Sequence, residues 1–343
     1  MEFDHCTALY LHRQINGQRT LSALMQILIG NRTAQTISDL HLFRLERFAG
    51  ILKYAPEEIR NSFEKTLRVT GNEDLQKMAD DMIEKEHLFS DAFHGMNYEW
   101  TGRAAHLWDC LSLFIQSLSH LNQGDRFFFP VSSDMRVQDQ VKSALKSRSV
   151  NELVDTFYQE LLVPLQKLNE PVQALFIDRL TVKGEVGLSY AQLTAAYQMS
   201  AFEAYISVRR VLHTLLLAYD SDPAAYPILN MLMSKTASKH EEALTESAKQ
   251  TRQLLKKGLS LHDVSKTRKL KNSTVEDHIV ELAHVDEDFD YSPYLEETEL
   301  HEIRKQIREH KLTRLRQLKE ATGGHYSYLQ LRIGMAMARR KEQ

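Results

Sequence analysis

Apolar residues recur at i, i+3, i+4 and i+7 spacing along most of the chain, and sustained period-2 alternation of β-branched residues is scarce, so the pattern predicts an all-α protein. The spacing predicts a helix over Thr20 to Ile29, stopped by Gly30. A second helix is predicted from the Thr33 cap to about Lys53, with Ile37, Leu40, Phe48 and Ile51 on its buried stripe. Pro56 and two glutamates open a helix through Leu67, and Asn72-Glu73-Asp74 opens another through Phe89, both with acids where the helix dipole favours them. Tyr98 to Leu121 is strongly apolar on one side (Ala104, Leu107, Leu111, Phe114, Leu118) and reads as a central helix. Gln123 to Ser133, which contains Phe127-Phe128-Phe129-Pro130, breaks the helical pattern. Helices resume over Val137 to Lys146, Val150 to Leu168, Pro171 to Leu180, Ala191 to Tyr197, Phe202 to Ala218 and Ala224 to Ser234. The polar stretch from Ser234 to Glu242 places a boundary near residue 238. The expectation is a large helical domain over residues 1–238, then a small helix-turn-helix domain with a helical tail over 239–343.

Within the C-terminal part, a helix from Glu242 to Lys257 presents Leu244, Ala248, Thr251, Leu254 and Leu255 on one face and stops at Gly258. Ser260 caps a short second helix, Leu261 to Arg268, with Val264 and the small Ser265 turned inward so that the next helix can cross closely. After the turn Lys269 to Asn272, Ser273-Thr274-Val275-Glu276 has the form of a capping box and predicts a third helix beginning at Ser273. Val275, Ile279 and Leu282 would face the core, leaving Thr274, Asp277, His278 and Glu281 outward, where the second helix of a helix-turn-helix reads the major groove. Three tail helices follow, Glu296 to Glu309, Lys311 to Ala321 and Tyr328 to Arg340.

Charge sharpens this picture. The net charge of −3 excludes a uniformly basic nucleic-acid coat, yet Lys249 to Lys271 holds eight basic residues and one acid, and Glu281 to Glu299 holds eight acids and no Lys or Arg. Lys266, Arg268, Lys269 and Lys271, with Asn272, Thr274 and His278, are the expected DNA contacts, the cations at phosphates and the helix face at base edges. Arg314, Lys319, Arg332, Arg339 and Arg340 form a possible second basic surface. Glu276, Asp277 and Glu281 on the reading helix would repel phosphate.

No apolar run approaches the roughly 20 residues that cross a bilayer, and the first residues lack a signal-peptide pattern, so a cytoplasmic protein is expected. Cys6 and Cys110 are too few for a disulfide framework or a thiolate metal site. No enzyme, cofactor or metal site is expected: nucleophile, base and orienter do not assemble, and no glycine-rich phosphate loop with its lysine is present. Glu84-Lys85-Glu86-His87 and Glu281-Leu282-Ala283-His284 have the Glu-x-x-His spacing of di-iron bundles, but two further carboxylates are required. His262-Asp263 has no second histidine to complete a ligand set, and Arg19, Arg32 and Gln35 read as surface groups beside a tight turn rather than an anion site. Leu188 to Leu217, with Arg209 and Arg210, also reads as helix, turn, helix, and an ordinary antiparallel pair is preferred there over a second DNA-binding element.

The segments Leu254 to Ala283 and His310 to Arg340, in that order, resemble the helicase-type helix-turn-helix domain at the C-terminal end of some RecQ DNA helicases. Ile15 to Phe43 resembles the opening of the YpbB-like proteins of low-GC Gram-positive bacteria, which carry this C-terminal domain without the helicase motor. The resemblance implies a non-enzymatic DNA-binding accessory protein, with DNA and a RecQ-type helicase as partners in repair or recombination. A protein-interaction adaptor that avoids DNA, and a transcription regulator, are the alternatives.

Overall fold

The computed structural model describes residues 3–70, 98–234, 244–286, 288–310, 312 and 314–340, and among them every regular element is helical. The chain forms two compact units: Met1–Ile29 with Arg47–Ala237, and Gly30–Glu46 with Ser238–Gln343. The linear division at residue 238 therefore lacks one segment, since Gly30–Glu46 belongs with the C-terminal residues. The helix expected over Asn72 to Phe89, and with it Glu84 to His87, lies outside the described residues. Among the described residues, no helix is long and apolar enough to cross a membrane.

The first unit contains α1 (Phe3–Ile15), α2 (Leu21–Leu28), α4 (Glu57–Val69), α5 (Tyr98–Asn122), α6 (Met135–Leu145), α7 (Val150–Leu165), α8 (Glu170–Asp178), α9 (Tyr190–Tyr197), α10 (Ala201–Ser221) and α11 (Pro227–Met233). Helix α1 was not marked by the apolar spacing, although Cys6, Leu9, Leu11 and Ile15 are buried. The centre is α10, which packs against α1, α4, α5, α7, α8 and α9. Phe202, Tyr205, Val208, Val211, Leu212, Leu215 and Leu216 fill one half of its circumference, and Ile206, His213 and Thr214 on the other half are buried too, as a helix enclosed on most sides requires.

Two buried polar groups in this unit, Glu160 and Arg103, are satisfied across long sequence distances. Glu160 on α7 accepts from the backbone N–H groups of Ile228 (2.7 Å) and Leu229 (2.9 Å), supplying the cap that Tyr226 and Pro227 do not give α11. Arg103 makes a two-pronged pair with Asp220 at 2.9 and 2.6 Å. Burial, with the nearby Arg209 and Arg103 guanidiniums, pushes the His213 imidazole down to about 3. The folded state holds this histidine neutral, while the unfolded chain protonates it below about 6.5, so its contribution is intact above that pH and is lost as pH falls towards about 3. Thermal melts over this window should show the first unit losing stability with acid, and His213→Gln should flatten the dependence.

The second unit contains α3 (Ala34–Leu42), α12 (Glu246–Lys256), α13 (Leu261–Arg268), α14 (Asn272–Val285), α15 (Glu297–His310), α16 (Leu315–Ala321) and α17 (Tyr328–Arg340). The helix expected to continue to Lys53 ends at Leu42 because Arg44 takes a left-handed conformation, with φ 54°, and Leu45 bonds back to the Leu40 carbonyl. A short 3-10 turn, Glu46–Phe48, follows as the chain leaves one unit for the other. The core of the unit joins Val264, Val275, Ile279, Val280, Ile303, Leu318, Ile333 and Met337. Helix α14 lies at its middle, against α3, α12, α13 and α17.

Candidate nucleic-acid interface

Helix α13 is capped by Ser260, whose hydroxyl accepts from the Asp263 N–H at 3.2 Å. It ends at Lys269 in the left-handed region, φ 54° and ψ 40°, which reverses the chain within three residues. Ser265 clamps this turn from both sides: its hydroxyl donates to the Leu270 carbonyl at 2.7 Å, and its own carbonyl accepts from Leu270 N–H at 3.0 Å. The small residue expected for close crossing is thus also the lock of the turn.

The third helix begins at Asn272, one residue before the sequence expectation, and the Ser273 capping box is not formed. Lys271 is the N-cap and gives no side-chain hydrogen bond, so the first turn of α14 keeps the partial positive charge of its N–H groups facing outward. Lys266, Lys269, Lys271, Asn272 and Ser273 are exposed, and Thr274 is half-buried. A helix N-terminus flanked by exposed ammonium groups is a phosphate-binding arrangement, and a helix-turn-helix presents the N-terminal residues of its second helix to base edges.

Two of the expected contacts are elsewhere. Arg268 points back onto α12, donating to the Ser247 carbonyl (2.6 Å), the Ser247 hydroxyl (2.9 Å), the side-chain Oε1 of Gln250 (2.9 Å) and the Thr251 hydroxyl. An arginine can only donate, so Thr251 accepts from it and its own hydrogen goes to Nδ1 of His278 at 2.9 Å. His278 is therefore buried rather than outward, and burial together with Arg268 pushes its imidazole down, holding it neutral. The spacing held this information: His278 follows Val275 by three residues and precedes Leu282 by four, within the apolar stripe itself.

The acids that seemed to oppose DNA are largely occupied. Glu281 is buried and accepts from the Thr245 N–H (2.6 Å) and hydroxyl (3.0 Å) at the start of α12, while burial pushes its carboxyl up against these bonds. Asp277 pairs with Arg332 at 2.8 Å. Glu276 is half-buried.

The second basic surface does not assemble as expected. Arg332 is committed to Asp277, and Lys319 donates to the carbonyls of Gly324 (2.8 Å) and Tyr326, closing the turn after α16. Arg314 is exposed. The side chains of Arg339 and Arg340 lie outside the described residues.

The remaining motifs are structural. Glu281 and His284 do not converge on a common site: Glu281 caps α12, and His284 stacks on His41 of α3 with ring centres 4.5 Å apart. Asp263 accepts from the Ser260 hydroxyl at 2.6 Å, and no group of three potential metal-binding side chains occurs among the described residues. Thr33 and Thr36 cap α3 reciprocally, filling the helix start near Arg32 and Gln35 with the chain's own hydroxyls. Cys6 and Cys110 are buried free thiols.

Helices α9 and α10 repeat the turn of α13 and α14. Each pair has a Ser-capped eight-residue first helix, a left-handed C-cap (Gln198 at φ 52°, ψ 42°; Lys269 at φ 54°, ψ 40°) and one further residue before the next N-cap. The pair thus has the turn of a helix-turn-helix. Its second helix is enclosed, and the Ser200 hydroxyl at its start donates to Asp4, so this copy offers no free reading helix.

Residues 247–335 match a helix-turn-helix domain family, a stretch that covers α12 to the middle of α17. Across 342 residues the chain is 29% identical to Protein YpbB of Bacillus subtilis (strain 168), with 94% of each chain covered. No solved structure matches the chain. The matched domain ties the exposed turn to DNA interaction as a class; it does not include α3.

Proposed function

We propose that this chain is a non-enzymatic DNA-binding accessory protein that holds duplex DNA through the Lys266 to Ser273 edge and acts with a RecQ-type helicase in repair or recombination. The observation that carries the DNA reading is the exposed Lys266, Lys269 and Lys271 around the uncapped start of α14, inside the matched helix-turn-helix segment. The buried long face of α14 restricts contact to one helical turn and its flanking cations. Affinity would then be mainly electrostatic and sequence discrimination modest. The helicase partnership rests on the resemblance of the C-terminal segments to the RecQ domain.

Fluorescence anisotropy against duplex, forked and single-stranded DNA across a salt series tests the proposal. Replacing Lys266, Lys269 and Lys271 together by Ala should lower the salt slope by roughly 2 to 3, because each lost phosphate contact removes about 0.9. The melting temperature should hardly change, since all three ammonium groups are exposed. An unchanged slope would remove this edge from the DNA interface. A preference for forked DNA would support helicase work.

The enclosure of α14 by α3, α12, α13 and α17 favours a second reading, a protein-interaction adaptor. Absence of any DNA shift at low salt, with the fold intact, would select it.

A further inference from the structure

The segment between α5 and α6 is apolar, exposed and firmly held. Phe127 is 90% exposed and Phe129 is 95% exposed, while Phe128 between them packs on the core and stacks on His120 with centres 4.5 Å apart. This is the alternation of an extended strand, one side chain in and its two neighbours out. Gln116, itself buried, completes the strand-like pairing with its side-chain amide: Nε2 donates to the Phe129 carbonyl at 2.9 Å, and Oε1 accepts from Val131 N–H at 2.9 Å. Asp125 accepts from Phe127 N–H at 3.0 Å, and Gln138 donates to the Ser132 carbonyl at 3.0 Å. Val131 and Met135 extend the exposed apolar surface at 45% and 63%. A loop with no role in binding gains nothing from such anchoring of water-facing phenyl rings.

We infer that this hook is the contact surface of a homodimer, meeting the same segment of a second copy across a two-fold axis. Charge permits this occupant, and area supports it. The flanking ionic groups are Arg126, Arg136, Lys142 and Lys183 against Asp125, Asp134 and Asp139, and each acid pairs within the chain, Asp125 with Lys183, Asp134 with Arg136 and Asp139 with Lys142, so the rim is nearly neutral. A nearly neutral rim of internally paired charges can face its own copy without repulsion, whereas a rim of one sign would repel it. The same balance disfavours single-stranded nucleic acid, whose backbone needs a cationic track beside the stacking rings. Area agrees. Four phenyl rings from two copies, at about 150–250 Å² each, bury roughly 600–1,000 Å². Val131 and Met135 from each copy bring the contact to about the lower end of stable interfaces, near 1,200 Å². The inference does not depend on the DNA reading, although a dimer would bring two helix-turn-helix modules to one complex.

Sedimentation velocity of the full chain over a micromolar concentration series, beside the double variant Phe127→Ser, Phe129→Ser and the single variant Phe129→Arg, tests this. The expected result is a concentration-dependent dimer whose dissociation constant rises at least tenfold in both variants, with unchanged melting temperature. A wild-type chain that stays monomeric, or variants that dimerise as well as wild type, would overturn it. Titration with an oligothymidylate separates the remaining possibility. Binding by a monomer that is lost in the variants would make the rings a base-stacking platform and end the dimer assignment.

Discussion

Residues 238–343 expressed alone are expected to melt at a much lower temperature than the same residues joined to Gly30–Glu46. Helix α3 packs on α14, and its side of the unit includes Ile37, Leu40 and Phe43, all buried. Losing three buried apolar side chains removes roughly 3–5 kcal/mol after allowing for a compact unfolded state. In a unit of about 120 residues that corresponds to a drop on the order of 15–25 °C. The ring stack between His41 and His284, and the hydrogen bond from Arg32 to the Leu244 carbonyl at 3.4 Å, would go with it. Calorimetry of the two fragments, with a peptide of residues 30–46 added to the shorter one, measures this. Equal stability of both fragments would show that α3 is dispensable, and rescue by the added peptide would confirm its place in the fold.

The second large effect concerns Arg268. Were it a phosphate contact, Arg268→Ala would weaken DNA binding and leave stability alone. The structure gives the opposite order of effects. Its guanidinium joins the end of α13 to Ser247, Gln250 and Thr251 of α12, and Thr251 is fully buried. Removing a charged donor from several acceptors, one of them an interior hydroxyl, should cost about 3 kcal/mol. Urea denaturation of Arg268→Ala should therefore show a clear fall in midpoint, and any loss of DNA affinity should track the unfolded fraction. A variant with wild-type stability and weakened DNA binding would return Arg268 to the interface. The exposed Lys266 and Lys269 are expected to behave in the reverse manner.

The contrast between these residues shows how far local pattern reaches. Helices α13 and α17 have the bounds that spacing and capping residues predict, Leu261–Arg268 and Tyr328–Arg340. Ile303, Leu318, Ile333 and Met337 of the tail helices lie in the core, because a 3.6-residue repeat fixes which face of a helix is apolar before any partner is known. Caps at Thr20, Thr33 and Ser260 are local in the same sense, each hydroxyl satisfying an N–H three residues on.

Other outcomes required the tertiary structure. The sequence offers Ser273 and Glu276 as a capping box, yet the turn locked by Ser265 starts α14 one residue earlier and leaves that box unused. Arg268, Lys319 and Arg332 are cations on amphipathic helices, and nothing within a few residues distinguishes a solvated arginine from one that reaches a distant acceptor. Glu281 finds Thr245 across 36 residues, and α3 finds α14 from the other end of the chain. The repeated turn at α9 and α10 makes the same point from the reverse side. Its local geometry matches α13 and α14, and only the helices packed around α10 close it to DNA. The sequence by itself determined the helical class, most helix positions, the apolar faces and the helix-turn-helix, since these follow from short-range periodicity and hydrogen-bond satisfaction. Which polar side chains face water, and which segments share a unit, depended on contacts between residues far apart in sequence, which only the packed chain brings together.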